Sequence, residues 1–232
     1  MSLAHSPNTI TDSLALCLDA SNIKSYNTGY TVWYDISGNN NNGTMFGVPV
    51  IETDVVKCFN FAAVTGASAS AASMGFTFAS NMVTTTGNFT FSTWIKNPPS
   101  SSAQVGLFSN SGSGDGFRFG IGLNGIYYLI GPSYKENTIN FLSSISSGTW
   151  NNVVLVFSRS TQTMKLYLNG IFQNSDTLAA QTAFANVAPG LVRSACCGLY
   201  TGKISQFFVY NKELSANEIS QNFSALRGRY LI

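Results

Sequence analysis

Apolar and polar residues alternate along much of this chain with a period of two. In Phe89-Thr-Phe-Ser-Thr-Trp-Ile95 the residues Phe89 and Phe91 share one face, and in Phe117-Arg-Phe-Gly-Ile-Gly-Leu123 so do Phe117, Phe119, Ile121 and Leu123. That period predicts strands with one face buried. Met164, Leu166 and Leu168 alternate with Lys165, Tyr167 and Asn169, so the first set is expected to face a core. Val153 to Phe157 is apolar without a break, as in a strand covered on both faces or central in a sheet. Further strands are predicted at Ser13–Leu18, Val55–Phe61 and Gly202–Tyr210.

Turn chemistry divides these runs. Asn124-Gly125 and Asn169-Gly170 each stand between apolar segments and predict tight hairpins. Trp33-Tyr-Asp-Ile-Ser-Gly-Asn-Asn-Asn-Asn-Gly43 passes from an aromatic pair into Asn and Gly, a loop composition, with Trp33 expected to plug the core beside it. The segments Thr65 to Ser73 and Pro98 to Ala103 are poor in large side chains and read as rim loops. Ser215 and Glu218 have the S-x-x-E spacing of a capping box and predict a helix of two or three turns after the last strand. Pro7 and Asn8 interrupt any earlier strand, so residues 1–12 are expected to be an N-terminal arm and 13–232 one domain.

Composition narrows the function classes. Hydrophobic residues make up 44% and include 17 Phe and 10 Tyr, enough to fill a core between two sheets. Charged residues are only 9%, against about 25% in ordinary soluble domains. Such a surface suits a protein held against other protein, or simply a hydroxyl- and amide-covered sandwich. With a net charge of +2 and no basic cluster denser than Arg227-Gly-Arg229, nucleic-acid binding is excluded as an expectation. The first residues lack the charged and apolar regions of a secretory signal, and no apolar run approaches the roughly 20 residues of a membrane helix. Synthesis in a host cytoplasm, without membrane association, is therefore expected. Cys17, Cys58, Cys196 and Cys197 have no C-x-x-C spacing and are expected to be free thiols. The acceptor tripeptides at Asn42, Asn88 and Asn222 then read as chance matches.

The order of pieces in the last third is specific: Trp150 before the buried strand, Tyr167-Leu-Asn-Gly170, Gly202-Lys-Ile204, Val209-Tyr-Asn211, then Leu214-Ser-Ala-Asn-Glu-Ile219. It resembles laminin-G-like domains of the concanavalin A-like lectin/glucanase superfamily over roughly residues 13 to 225. The resemblance implies an all-β, antiparallel jelly-roll β-sandwich with a short C-terminal helix, and a protein that binds or decorates. The opening His5 to Asn22, the segment Trp33 to Asn39 and the ending Arg227-Gly-Arg-Tyr230 resemble bacteriophage virion proteins, many from marine phages. That resemblance implies a non-enzymatic component of the virion surface, such as a capsid decoration protein. Its expected partners are capsid or tail proteins, docked through the arm and rim loops, with homo-oligomers on the particle. The alternative is a lectin-like adhesin for cell-surface polysaccharide, on a tail or fibre.

Membership among glucanases would require two carboxyl groups about 5–5.5 Å apart. Glu52-Thr-Asp54 is the acidic pair at alternate positions, but the chain continues Val55-Val-Lys-Cys58 without the further Glu of the glucanase pattern, and an exposed turn before a strand is the expected reading. His5, the one histidine, lies in the arm and is not a plausible catalytic base. Relatives of this fold often hold calcium at the rim, and Asp35, Ser37, Asn39 and Asn41 can offer oxygens, with Asp115 a weaker candidate. Asx turns explain the same residues without an ion. Tyr127, Tyr128, Tyr134 and Tyr200 stand in or beside expected loops, either as a sugar-stacking platform or as cover on strand ends. No catalytic, metal or cofactor residue is assigned.

Overall fold

The computed structural model describes residues 7–47, 49–61, 74–99, 105–110, 116–130, 136–178, 188–192 and 198–232. In chain order the strands are β1 Leu14–Asp19, β2 Val32–Trp33, β3 Gly43–Gly47, β4 Val50–Asp54, β5 Val56–Asn60, β6 Met74–Phe78, β7 Phe89–Lys96, β8 Val105–Gly106, β9 Phe108–Ser109, β10 Phe117–Ile121, β11 Gly125–Ile130, β12 Glu136–Asn140, β13 Trp150–Ser158, β14 Thr163–Leu168, β15 Ile171–Thr177, β16 Gly190–Leu191, β17 Gly198–Leu199 and β18 Lys203–Tyr210. One antiparallel sheet runs β15-β14-β13-β7-β18-β5-β4, with β1 also paired to β18. The facing antiparallel sheet runs β12-β11-β10-β9-β16-β6-β3-β2. This is the expected two-sheet sandwich. One departure is the short pair β17–β8, which is parallel. Its strands are far apart in sequence, so no hairpin forces them to run antiparallel.

Period-two faces become the two sides of the core. Phe89 and Phe91, with Phe157 and Phe207 of the same sheet, meet Phe117, Phe119 and Phe108 of the facing sheet, with ring centroids 4.8 Å apart in the Phe91–Phe119 and Phe108–Phe207 pairs. Each such pair adds about 0.5–1.5 kcal/mol to what burial alone contributes. Trp33 is fully buried against Phe59 and Phe76, as expected. Val153, Leu155 and Phe157 face this core, whereas Val154 and Val156 face a second apolar layer, so β13 is covered on both sides.

That second layer is built by the chain's ends. Helix α1, Ala216–Leu226, begins at the predicted capping box: Ser215 Oγ accepts from the Glu218 N–H, and the Glu218 carboxylate accepts from the Ser215 N–H. Ile219 packs with Val154, Val156, Phe208 and Tyr210. A single 3-10 turn, Arg227–Tyr230, follows. It lays the Tyr230 ring flat on Trp94, with centroids 3.8 Å apart and planes within 3°. Arg229 grips the buried Asp19 carboxylate with two hydrogen bonds of 2.8 and 3.1 Å.

The segment expected to be an arm available to another protein lies, over residues 8–12, on this chain's own helix. The Ile10 N–H donates to Asn222 Oδ1 at 2.7 Å, Tyr210 Oη donates to the Ile10 carbonyl at 3.1 Å, and Gln221 donates to the Asn8 carbonyl at 2.7 Å. Asp12 pairs with Lys212. The groove an ordered arm requires is thus provided by α1 and Tyr210.

Both Asn-Gly hairpins form, in different ways. Asn169 and Gly170 have φ of 51° and 78°, and the two-residue turn joins β14 to β15. Gly125 instead opens β11, where a Cβ would meet the Ile139 carbonyl at 2.5 Å. What Gly125 permits is the close approach of β12.

Candidate functional site

The loop between β1 and β3 is organised by one carboxylate. Asp35, 8% exposed, accepts hydrogen bonds from the N–H groups of Cys17 (2.9 Å), Ser37 (2.8 Å) and Asn41 (3.0 Å) and from Ser37 Oγ (2.8 Å). Both of its oxygens are therefore spent on holding the loop against β1. Asn41 Nδ2 donates to the Ala15 carbonyl at 2.8 Å, and Asn39 Nδ2 donates to Leu14 O at 2.8 Å. The four residues considered as calcium ligands do come together, but as a hydrogen-bonded loop anchor whose donors occupy the aspartate. Among the described residues, no group of three or more His, Cys, Asp or Glu side chains is arranged to hold a metal ion.

This anchor forms one wall of an open cleft of about 430 Å3 at the end of the sandwich where β1 starts and β6 and β18 finish. Ser13, Asn39, Asn41, Asn81 and Asn211 supply its polar wall, and the buried Met82 lies among its apolar lining. Three of the amides use one end to fix backbone and leave the other uncommitted. Asn81 Oδ1 accepts from the Val83 N–H at 3.1 Å, and Asn211 Oδ1 accepts from the Thr84 N–H at 2.9 Å, which leaves both Nδ2 groups as donors. Asn39 spends its Nδ2 and keeps Oδ1 as an acceptor. Ser13 and Asn40 adopt left-handed backbone, each with φ of 58°, at the same end of the molecule. The cleft thus presents donors and acceptors of fixed orientation, with no charged side chain among the described residues of its wall, a surface suited to hydroxyl groups. Sequence reasoning found Asn39 and Asn41 but missed Asn81 and Asn211, which join them only through folding.

The remaining sequence candidates fall elsewhere. Glu52 and Asp54 lie on the edge strand β4, not in a turn before a strand. Lys203 binds both carboxylates, at 2.7 Å to Asp54, while Lys96 adds a 3.0 Å contact to Asp54 and Asn60 donates to Glu52. The hydrogen bond from Lys203 is the main reason both carboxyls titrate below their ordinary range. Burial alone would lower the Lys203 ammonium, but its hydrogen bonds to Asp54 and Glu52 outweigh that and raise it. A retaining glycosidase needs one of its pair kept protonated, and this pair is held ionised.

Tyr127, Tyr128 and Tyr200 are 3%, 0% and 0% exposed, which removes them as a sugar platform. The first two stand inside β11, whose every residue is buried, and Tyr128 donates to Asp176. Aromatics that do reach solvent include Tyr30 and Tyr34, at 46% and 40% exposure, in the loop that Asp35 anchors. The Gly29-Tyr30 dipeptide in an Asn- and Thr-rich stretch was the available signal. Cys17 and Cys58 are free, and burial pushes both thiols up to about 12. Asn222 is 6% exposed and donates to Tyr210 Oη, so it is no acceptor for a glycan. His5, Asp115, Tyr134, Cys196 and Cys197, like the stretch from Thr65 to Ser73, lie outside the described residues.

The described acids are all engaged within the fold. Every acidic side chain described has a partner: Asp12 and Glu218 share Lys212, Asp19 holds Arg229, Glu213 holds Lys165, and Asp176 accepts from Tyr128. Asp35 and the Glu52–Asp54 pair are satisfied as above.

A two-sheet antiparallel sandwich with a polar cleft at its rim defines a lectin-like class of fold. The chain belongs to the concanavalin A-like lectin/glucanases superfamily, whose family model matches residues 68–220. None of the curated proteins matches it. Among solved structures, the binding domain of botulinum neurotoxin DC, in complex with rat synaptotagmin II, superposes with a TM-score of 0.70 at 18% identity, over 94% of this chain and 52% of that one. Botulinum neurotoxin type C, described as entering cells through interaction with two ganglioside molecules, gives 0.72 at 18%, over 94% and 52%. Domain 4 of AbnA, a GH43 extracellular arabinanase from Geobacillus stearothermophilus in complex with arabinotriose, gives 0.67 at 14%, over 90% of this chain and 98% of that one. The chain spans about half the length of the toxin chains and nearly all of the arabinanase domain. At these identities the likeness is one of fold. The family match begins after Ser13, Asn39 and Asn41, so only part of the cleft wall lies within it.

Proposed function

We propose that this chain is a non-enzymatic, lectin-like domain that binds a neutral oligosaccharide in the amide-lined cleft, and that it is carried on the exterior of a phage particle. The carrying observation is the set of uncommitted amide groups, Asn39 Oδ1, Asn81 Nδ2 and Asn211 Nδ2, each oriented by a backbone bond from its other end. Hydroxyl-rich ligands are selected by such fixed polar groups rather than by charge. The whole-length likeness to an arabinanase domain in complex with arabinotriose supports this ligand class. Absence of catalysis is supported by the ionised Glu52–Asp54 pair, whose two charges are balanced by Lys203 and Lys96.

Placement on a virion rests on the opening and closing segments that resemble phage virion proteins. The low charge of the chain, 9%, suits a surface packed among other proteins. Many copies on one particle would make weak individual sugar contacts effective through avidity. A glycan array probed with the purified chain tests binding, with signal expected on neutral glycans. Gold-labelled antibody on intact particles tests placement, with label expected on tails or fibres for an adhesin and evenly on heads for a decoration protein. Blank arrays would end the lectin reading, and unlabelled particles would end the virion reading.

A further inference from the structure

The cleft leaves unexplained two half-exposed aromatics of the neighbouring loop, Tyr30 and Tyr34. Their rings meet edge to face, with centroids 5.9 Å apart and planes at 81°. The loop beneath them is firmly built. Tyr26 is its buried root, 2% exposed and edge-on to Phe59 at 4.9 Å. The Tyr34 N–H donates to the Ser25 carbonyl at 2.7 Å, and Ser25 Oγ returns a 2.6 Å bond to the Tyr34 carbonyl. The Tyr30 N–H donates to Asn27 O at 3.1 Å, and the Met45 N–H takes the Thr31 carbonyl at 2.8 Å. Gly29, with φ of +93°, makes the bend that a side chain would strain. An aromatic pair held this rigidly forgoes the stabilisation of burial, and exposed apolar surface on a fixed loop marks a contact site.

We infer that Tyr30 and Tyr34 form a second carbohydrate-contacting surface, on which the apolar face of an uncharged sugar ring stacks. Two ring planes at a right angle make a corner that supports one face of a flat ligand and walls one edge. Asn27, Thr28 and Thr31 supply amide and hydroxyl groups around it, and Lys24 is the one charged residue between Ala20 and Tyr34. Two aromatic side chains bury at most roughly 500 Å2 together, and half-exposed ones offer about half of that. That is a fraction of the roughly 800 Å2 per partner of a stable protein interface, and it matches one or two sugar rings. Because the loop is already ordered, little conformational freedom is lost on binding. The surface lies outside the cleft and outside the family match, and rests on the lectin reading only for its class of ligand.

The test is a titration of the full chain, labelled at tyrosine rings and asparagine amides, with arabinotriose, cellotriose, laminaritriose and mannotriose, followed by nuclear magnetic resonance. Shifts of the Tyr30 and Tyr34 rings are expected with at least one sugar. Tyr34→Ala should weaken that binding roughly five- to tenfold, the loss of one ring contact, whereas Tyr30→Phe should keep it. Asn81→Asp should leave the ring shifts intact, since it alters only the cleft. Ring shifts without Asn39 or Asn81 shifts support this surface and remove the cleft. Amide shifts without ring shifts overturn this surface and leave the cleft standing. Silence of both sets across all four sugars overturns both. Both tyrosine variants are at exposed positions, and an unchanged melting temperature confirms that each is folded.

Discussion

Asp35 shows how one residue can satisfy two readings of a sequence. An aspartate among asparagines and glycines is equally a cation ligand and a turn former, and the deciding facts are the N–H groups of Cys17 and Asn41 that point at it. Cys17 lies in another strand, so no local pattern reports it. Asp35→Ala should cost about 3 kcal/mol in urea unfolding, since several part-buried donors lose a charged acceptor at once, and Asp35→Asn clearly less. Loss below about 1 kcal/mol would mean the loop is held by other contacts. Tyr127 and Tyr128 illustrate a signal that was present and underused. Gly125-Ile-Tyr-Tyr-Leu-Ile130 is as continuously apolar as Val153–Phe157 and follows the same rule for buried strands, yet its nearness to Asn124 suggested a rim.

The Glu52–Asp54–Lys203 cluster carries a prediction about pH. Both carboxyls titrate lower in the folded chain than their ordinary values, chiefly through the Lys203 hydrogen bond, so the unfolded chain takes up protons first as acid is added. Their contribution is full above about pH 5 and is lost as pH falls through about 4 and below. Lys203→Met should lower the urea midpoint at neutral pH and flatten this acid limb. An acid limb of unchanged steepness in Lys203→Met would show that other carboxylates set it.

At the scale of elements, strands β1, β5, β7, β10, β13, β14 and β18 and the helix start were legible, because their signals are short range. Alternation placed Phe89, Phe91, Phe117, Phe119 and Ile121 in the core, and the Ser215–Glu218 pair marked the first turn of α1. The clasp formed by the two chain ends was not legible. Ile10 and Asn222 are 212 positions apart, and Arg229 meets Asp19 across 210. The two ends of the described chain therefore have a physical role within this fold: they cover the outer face of the sheet that holds β13. Tyr230→Ala removes the ring stacked on Trp94 and should cost about 3–5 kcal/mol. Deleting residues 1–12 should also destabilise the chain, by leaving Asn222 and Tyr210 short of partners, and should slow no other process if the arm serves only its own helix. If either truncation melts with the intact chain, the clasp is not a stabilising element.

At the scale of the molecule, the described acids are paired with cations and hydrogen-bond donors, and the cleft and the tyrosine loop present mainly amides, hydroxyls and aromatics. Recognition by such a surface should be insensitive to ionic strength, since screening acts on charge. Affinity for a bound sugar is expected to change less than about twofold between low salt and roughly 0.5 M salt, and to survive a calcium chelator, because Asp35 is occupied by its own loop. A steep salt dependence measured by calorimetry would point to a charged ligand instead, and abolition by chelator would restore the cation reading of Asp35. The cleft itself was only half legible: Asn39 and Asn41 sit in a conspicuous loop, while Asn81 and Asn211 follow strands β6 and β18 and carry no motif.

The most direct test is calorimetric titration of the strongest glycan from the array into the wild-type chain and into Asn81→Asp/Asn211→Asp. These substitutions keep the oxygens that hold Val83 and Thr84 while replacing the two uncommitted donors with acceptors. The melting temperature should stay the same, and affinity should fall at least tenfold, the loss of two hydrogen bonds of about 1 kcal/mol each plus the cost of added charge. A variant that binds the glycan as tightly as wild type would place the binding site elsewhere on the molecule.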